Sequence, residues 1–174
     1  ADSRDVETEF LAGYEAGCLG YSLYRSLQKL GIACEIMAPT TMYSSAKNKM
    51  VKNDKMDAKM IARNLAGRTY HAVYVPDDED DEVKEYIRLR KTFKKTLMRM
   101  KQQLSALILR HGFHYNETVT NWTQAHRAWI KHLKVSSLMR TTIDEYLVEI
   151  EELEDKLSRY DQKIEELSRS DRYV

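Results

Sequence analysis

The chain alternates short apolar runs with glycine turns through its first half, then carries two long three–four hydrophobic repeats through its second. Residues 10–15 (Phe-Leu-Ala-Gly-Tyr-Glu) form an apolar run that ends on a carboxylate and predicts a short strand. Leu19, Leu23, Leu27 and Leu30 recur at four, four and three, which predicts a helix ended by Gly31. Residues 32–37 predict a second strand, stopped before Pro39. A strand–helix–strand order implies parallel pairing with a right-handed crossover, and ligands gather at the carboxyl ends of such strands, where Glu15 lies. Residues 40–53 are a polar, lysine-rich loop. Met56, Met60, Ile61 and Leu65 mark the apolar side of a helix over residues 54–66, with Gly67 at its end. Residues 71–75 predict another short strand, closed by Pro76.

The pattern then changes. Residues 77–82 are all acidic, which suits a solvated helix start favoured by the helix dipole. A long helix over residues 80–111 follows. Val83, Tyr86, Phe93, Leu97, Met100, Leu104 and Leu107 form a heptad seam, Arg90 fills its missing position, and Gly112 breaks it. Residues 113–140 predict a linker with its own helix from Trp122, capped by Asn121 or Thr120, with Trp122, Ala125 and Trp129 on one face. Those aromatics could stack on bases, but core packing is their commoner use. Over residues 141–169, Ile143, Tyr146, Ile150, Leu153, Leu157, Tyr160, Ile164 and Leu167 keep the heptad rhythm. The two long helices are expected to pair antiparallel, with a second copy completing the bundle. The fold class is α/β plus α: residues 1–78 as one domain, residues 79–174 as a coiled-coil, dimerising one.

Composition sharpens this division. The 174 residues carry a formal charge of +1, which hides an internal asymmetry. Residues 47–68 hold seven Lys/Arg against two Asp, and residues 84–110 hold nine against one Glu. Residues 144–171 reverse the sign, with eleven acids against four bases. Basic middle segments suggest a polyanion partner, and the acidic last helix suggests pairing with the basic one. Cys18 and Cys34 have no metal-ligand spacing and read as reduced thiols of a cytoplasmic protein, Cys34 within a strand. No apolar run reaches the length of a membrane span, and no signal peptide is visible, so no membrane partner is expected.

The candidate chemistry lies in residues 52–63. Asp54 and Asp57, three apart, share a helix face among Lys47, Lys49, Lys52, Lys55 and Lys59. The plain alternative is that Asp54 caps the helix and Asp57 complements its dipole. With Glu15 at a strand end, the three carboxylates form the kind of set by which RNase H-like nucleases hold two Mg²⁺ ions for strand chemistry.

These residues resemble a known family. Tyr14-Glu15-Ala16-Gly17-x-x-Gly20-Tyr21 comes first, followed by Ala38-Pro39 and Val51-Lys52-x-Asp54-x-x-Asp57-Ala58-x-x-Ile61-Ala62-Arg63. Ala72-Val73-Tyr74-Val75-Pro76, Leu109-Arg110-His111-Gly112 and Trp122-Thr123-x-Ala125-His126-x-x-Trp129 come next. The ordered set is similar to the DEDD-type insertion-sequence transposases related to the pilin-gene invertases. The likeness covers nearly all of the chain from Tyr14 on. It implies a partial RuvC-like (RNase H-like) domain followed by a long antiparallel helical coiled coil, in a bacterial, cytoplasmic protein. Glu15, Asp54 and Asp57 match the second, third and fourth members of the family's Asp-Glu-Asp-Asp set, as catalytic metal ligands for Mg²⁺. Asn53 stands where many members have Thr.

The first Asp belongs on an initial strand well before Glu15, for which Asp2 and Asp5 are poor substitutes. The nucleophilic Ser of a carboxy-terminal domain has no counterpart. The resemblance thus implies an internal piece of a DNA recombinase, inactive alone. It also implies DNA, a structured bridge RNA as guide, and a homodimer or higher assembly. Lys47, Lys49, Lys52, Lys91, Lys94, Lys95, Arg99 and Lys101 are the candidate phosphate contacts. The alternatives are a non-catalytic dimeric nucleic-acid-binding module and, behind it, a purely structural scaffold.

Overall fold

The computed structural model describes residues 10–42, 54–116 and 121–173. The chain divides between Asp77 and Asp78 into two compact units.

The first unit holds β1 (Leu11–Glu15), α1 (Ser22–Lys29), β2 (Ala33–Met37), a 3₁₀ turn (Pro39–Thr41) and α2 (Asp54–Gly67). β1 and β2 pair in parallel, from Leu11 opposite Ala33 to Glu15 opposite Met37, as the strand–helix–strand order predicts. Parallel strands need a crossover, and α1 supplies it. Helix α1 closes in a Schellman motif, with Gly31 N–H donating to Gln28 and Ile32 N–H to Leu27, and Gly31 at φ 74°. Two buried strand residues, Ile36 and Met37, and the buried Cys34 centre this unit. By contrast, Leu19, Leu23 and Leu30 are exposed among the described residues.

α2 packs on β1 at Gly13. A Cβ there would stand 2.7 Å from Leu65 Cδ1, so only glycine lets the helix come this close. The end of α2 differs from expectation. Gly67 is the last helical residue, and Arg68 takes the left-handed position at φ 51°. The same closing bonds form there: Arg68 N–H to Leu65 O, and Thr69 N–H to Asn64 O. Buried Asn64 also braces the turn, donating from Nδ2 to Met60 O at 2.9 Å and accepting from Thr69 Oγ1 at 2.7 Å.

The strand expected over residues 71–75 reduces to one antiparallel bridge, Ala72 to Met37. Ala38 N–H donates to His71 O and Val73 N–H to Ile36 O. The segment is held at one end by His71 N–H donating to Thr41 Oγ1, and it meets Pro76, which lacks an N–H, at the other. Little length remains for a ladder.

The second unit holds α3 (Asp78–Arg110), α4 (Gln124–Lys131) and α5 (Ser137–Ser168). α3 and α5 form an antiparallel pair. Arg90 meets Asp161, Lys101 meets Glu154, and Arg172 just past α5 meets Asp80, so numbers rise on one helix as they fall on the other. At 33 residues, α3 is about 50 Å long. Leu97, Leu104 and Ile108 bury against Ile143, Leu147, Ile150, Leu153 and Leu157, with Ile130 of α4 in the same core. Towards the other end the seam is aromatic, with Tyr160 packed between Tyr86 and Phe93 at 5.6 Å from each ring.

Two details of this unit differ from the sequence reading. Thr123, not Asn121 or Thr120, caps α4, accepting from His126 N–H at 3.2 Å, and Trp122 lies outside the helix at φ 69°. α5 starts four residues earlier than expected, because Ser136 caps it by accepting from Met139 N–H.

Candidate functional site

Glu15 is the last residue of β1, exposed, with its backbone registered against Met37. Asp54 and Asp57 occupy the first turn of α2, Asp54 exposed and Asp57 half-buried. Their three-residue spacing puts them on one face. None of the three carboxylates makes a hydrogen bond or ion pair with a described residue.

As hard oxygen donors they suit a divalent cation. Their convergence does not: among the described residues no group of three His, Cys, Asp or Glu is placed to hold a metal ion. The contact that locks α2 to β1 accounts for part of this. Leu65 is eight residues beyond Asp57, about 12 Å along the helix. Among the described residues the three side chains are therefore not gathered into a metal centre.

The candidate phosphate contacts divide into three groups. Lys47, Lys49 and Lys52 lie outside the described residues. Lys91, Lys94, Lys95 and Arg99 are exposed on α3, and none is bonded to a described residue. Lys91, Lys95 and Arg99 follow at four-residue steps, a line of charges about 6 Å apart. Arg99 also lines a groove of about 490 Å³ with Gln102, Gln103, Arg110 and, from α5, Tyr146. Lys101 is different. Its Nζ lies 2.6 Å from Glu154 Oε1 and 5.3 Å from the centre of the Trp122 ring.

Glu154 is the hub of a network that the sequence did not reveal. It also accepts from Arg127 Nη2 at 2.6 Å, and Arg127 lies over the other neighbour they share, the Trp122 ring, at 5.8 Å. Burial works to raise the Glu154 carboxyl, but the hydrogen bonds from Arg127 and Lys101 outweigh it and hold the group below its ordinary value. These partners are 27 and 53 residues from Glu154 along the chain, so no local spacing could have flagged them.

His126 is the second feature missed as a centre. It is 5% exposed, and its Nδ1 accepts from Trp122 N–H at 2.9 Å. That bond places the neutral ring's proton on Nε2. The ring lies nearly parallel to Trp129 and 4.7 Å from the Tyr115 ring. Burial, and then the charge of Arg127, push its pKa down. Cys18 is exposed and Cys34 buried, and both are free thiols. No helix among the described residues is long and apolar enough to cross a membrane.

The transposase family model DEDD_Tnp_IS110 matches residues 4–113. The chain is 33% identical over 162 residues to the transposase for insertion sequence element IS1533 of Leptospira borgpetersenii, covering 92% of this chain and 46% of that protein. It is 34% identical over 118 residues to the y4qE protein of Sinorhizobium fredii, whose name also refers to a transposase, covering 68% of this chain and 30% of that one. The chain thus spans less than half the length of these relatives. No solved structure matches it. A family model matching well over half of the chain, together with relatives aligned across most of it, establishes that this protein belongs to the IS110-type DEDD transposase family.

Proposed function

We propose that the chain is the metal-handling and nucleic-acid-holding portion of an insertion-sequence transposase that cuts and rejoins DNA strands. Glu15, Asp54 and Asp57 are the carboxylates assigned to divalent cations, two Mg²⁺ in the active protein. The observation that carries this reading is a strand-end acid and two first-turn helix acids, all without bonding partners among the described residues, on elements packed together in a transposase-family chain. Such ions, when bound, activate an attacking oxygen and stabilise the leaving one. The chain's own part is to present the three carboxylates on a strand end and a helix first turn. Pairing with β2 fixes the backbone at Glu15, and the helical backbone of α2 puts Asp54 and Asp57 on one face.

The test is strand joining by the complete transposase. Asp54→Asn, Asp57→Asn and Glu15→Gln should each lower it at least about a hundredfold, the order expected when a group acting on transition-state charge is lost. Circular dichroism should show the helices intact. Wild-type joining by any one of the three removes that residue from the site.

A second reading has its own support. The exposed row Lys91, Lys94, Lys95 and Arg99, none hydrogen-bonded or ion-paired to a described residue, favours a dimeric nucleic-acid-binding module, gripping DNA and a structured guide RNA while catalysis resides elsewhere. On this reading α3 and α5 form a coiled coil that also joins two copies, and nucleic-acid affinity survives loss of all three acids.

A further inference from the structure

We propose that a cavity at the carboxyl end of α3 takes one unpaired base of a nucleic-acid strand, an assignment that rests on the nucleic-acid reading above. The cavity has a volume of about 150 Å³ and is bounded by residues of α3, the segment following it, and α4. Three features define what it could hold.

First, it presents polar atoms without partners. Tyr115 lines it, and the Tyr115 hydroxyl is buried with no hydrogen-bond partner among the described residues. Native folds seldom keep a buried polar group unsatisfied without a use or an occupant. His126, nine-tenths buried, also lines it. Since Nδ1 accepts from Trp122 N–H, Nε2 is the ring's donor, and it has no partner among the described residues. The amides of Asn116 and Asn121 and the hydroxyl of Ser105 add further donors and acceptors.

Second, the walls are aromatic. Tyr115, His126 and Trp129 are mutually packed, with Tyr115 5.2 Å from Trp129 between ring centres. Rings beside convergent polar groups are how proteins take unstacked bases, by stacking and by hydrogen bonds to the base edge.

Third, among the described residues no Lys, Arg, Asp or Glu lines the cavity. A phosphate or carboxylate would lack a counter-charge there, and a metal ion would lack carboxylates. The free volume is about five times the ~30 Å³ share of a water molecule. It is well below the roughly 300–1,000 Å³ of pockets for drug-sized ligands. A single neutral, flat heterocycle fits these limits, with its sugar and phosphates left outside.

The experiment uses the 174-residue chain and three probes: a duplex with one bulged 2-aminopurine, the same duplex fully paired, and 2-aminopurine riboside alone. The bulged duplex should bind about tenfold more tightly than the paired one, with its 2-aminopurine emission quenched. Tyr115→Phe should abolish that preference and leave affinity for the paired duplex unchanged. The variant removes an unpartnered hydroxyl, so its thermal midpoint should be no lower than the parent's, which separates loss of the site from loss of the fold. Equal affinity for the two duplexes, or a preference that survives Tyr115→Phe, leaves the cavity to water and overturns the proposal. Riboside binding as tight as the bulged strand assigns the cavity to free nucleosides and overturns it too. Failure to bind either duplex instead defeats the nucleic-acid reading on which it rests.

Discussion

At the scale of single residues, backbone geometry and burial set the expectations. Arg68 sits at φ 51°, in a closing turn whose hydrogen bonds are the same as those made at Gly31. A residue with a Cβ gives up roughly 1 kcal/mol there, which glycine does not. Arg68→Gly should therefore stabilise the first unit by up to about 1 kcal/mol, less what glycine loses in unfolded-chain entropy, visible as a higher urea midpoint at unchanged slope. Gly67-Arg68 was legible as a helix end but not as this turn, because the braces on it are side chains, Asn64 and Thr69.

His126 gives the pH-dependent case. Its folded pKa is depressed by burial and by Arg127, so the unfolded chain binds the proton more readily. Stability of the second unit should be full above the unfolded value of about 6.5 and fall as pH drops below it towards the lowered folded value. Protonation also removes the acceptor for Trp122 N–H. Denaturant titrations at stepped pH should show this slope in the parent, and His126→Gln should remove it while leaving the lower carboxylate transition, to which Glu154 contributes, in place.

At the scale of elements, hydrophobic periodicity was the readable part. The seams over α3 and α5 could be named in advance because two long helices with one main neighbour each bury a single stripe. The exceptions have a common cause. Ile108 and Leu147 are buried beside the expected Leu107 and Tyr146, at the end of the pair where α4 places Ile130 in the core. A second neighbour widens the buried face, and a heptad template has no term for it. The start of α4 was misplaced because Trp122 fits a helical face by spacing yet takes a left-handed backbone that spacing cannot show. The seam also ranks substitutions. Leu104 is fully buried, so Leu104→Ala should cost about 2–5 kcal/mol. Met98, 53% exposed only six residues earlier, should change stability by less than about 0.5 kcal/mol when replaced by Ala. Thermal or urea unfolding of the two variants tests the contrast.

For the whole molecule, net charge is a poor guide and charge placement a good one. A formal charge of +1 predicts almost no attraction to a polyanion. The charges are sorted, however, so that α5 neutralises only part of α3. Arg90 and Lys101 are engaged by Asp161 and Glu154, whereas Lys91, Lys95 and Arg99 remain exposed at four-residue steps. Sequence counts showed the basic segment but not this division, since which lysines are neutralised depends on contacts across about fifty residues or more. The same limit held for the acids: Glu15, Asp54 and Asp57 could be picked out by type and order, while their separation depends on where α2 meets β1. If the row on α3 contacts phosphates, each neutralised phosphate releases counterions, and log affinity falls with log salt at about 0.9 per contact on duplex DNA. Replacing Lys91, Lys95 and Arg99 together by Gln should then lower the magnitude of that slope by about 2.7, uniformly across DNA sequences. Lys101→Gln should act otherwise, leaving the slope unchanged and lowering the unfolding midpoint, because it strips one of two cations from the Glu154 carboxylate. Binding isotherms at four or five salt concentrations, beside melting curves, distinguish the two kinds of lysine. An unchanged slope in the triple variant removes this face of α3 from the nucleic-acid interface.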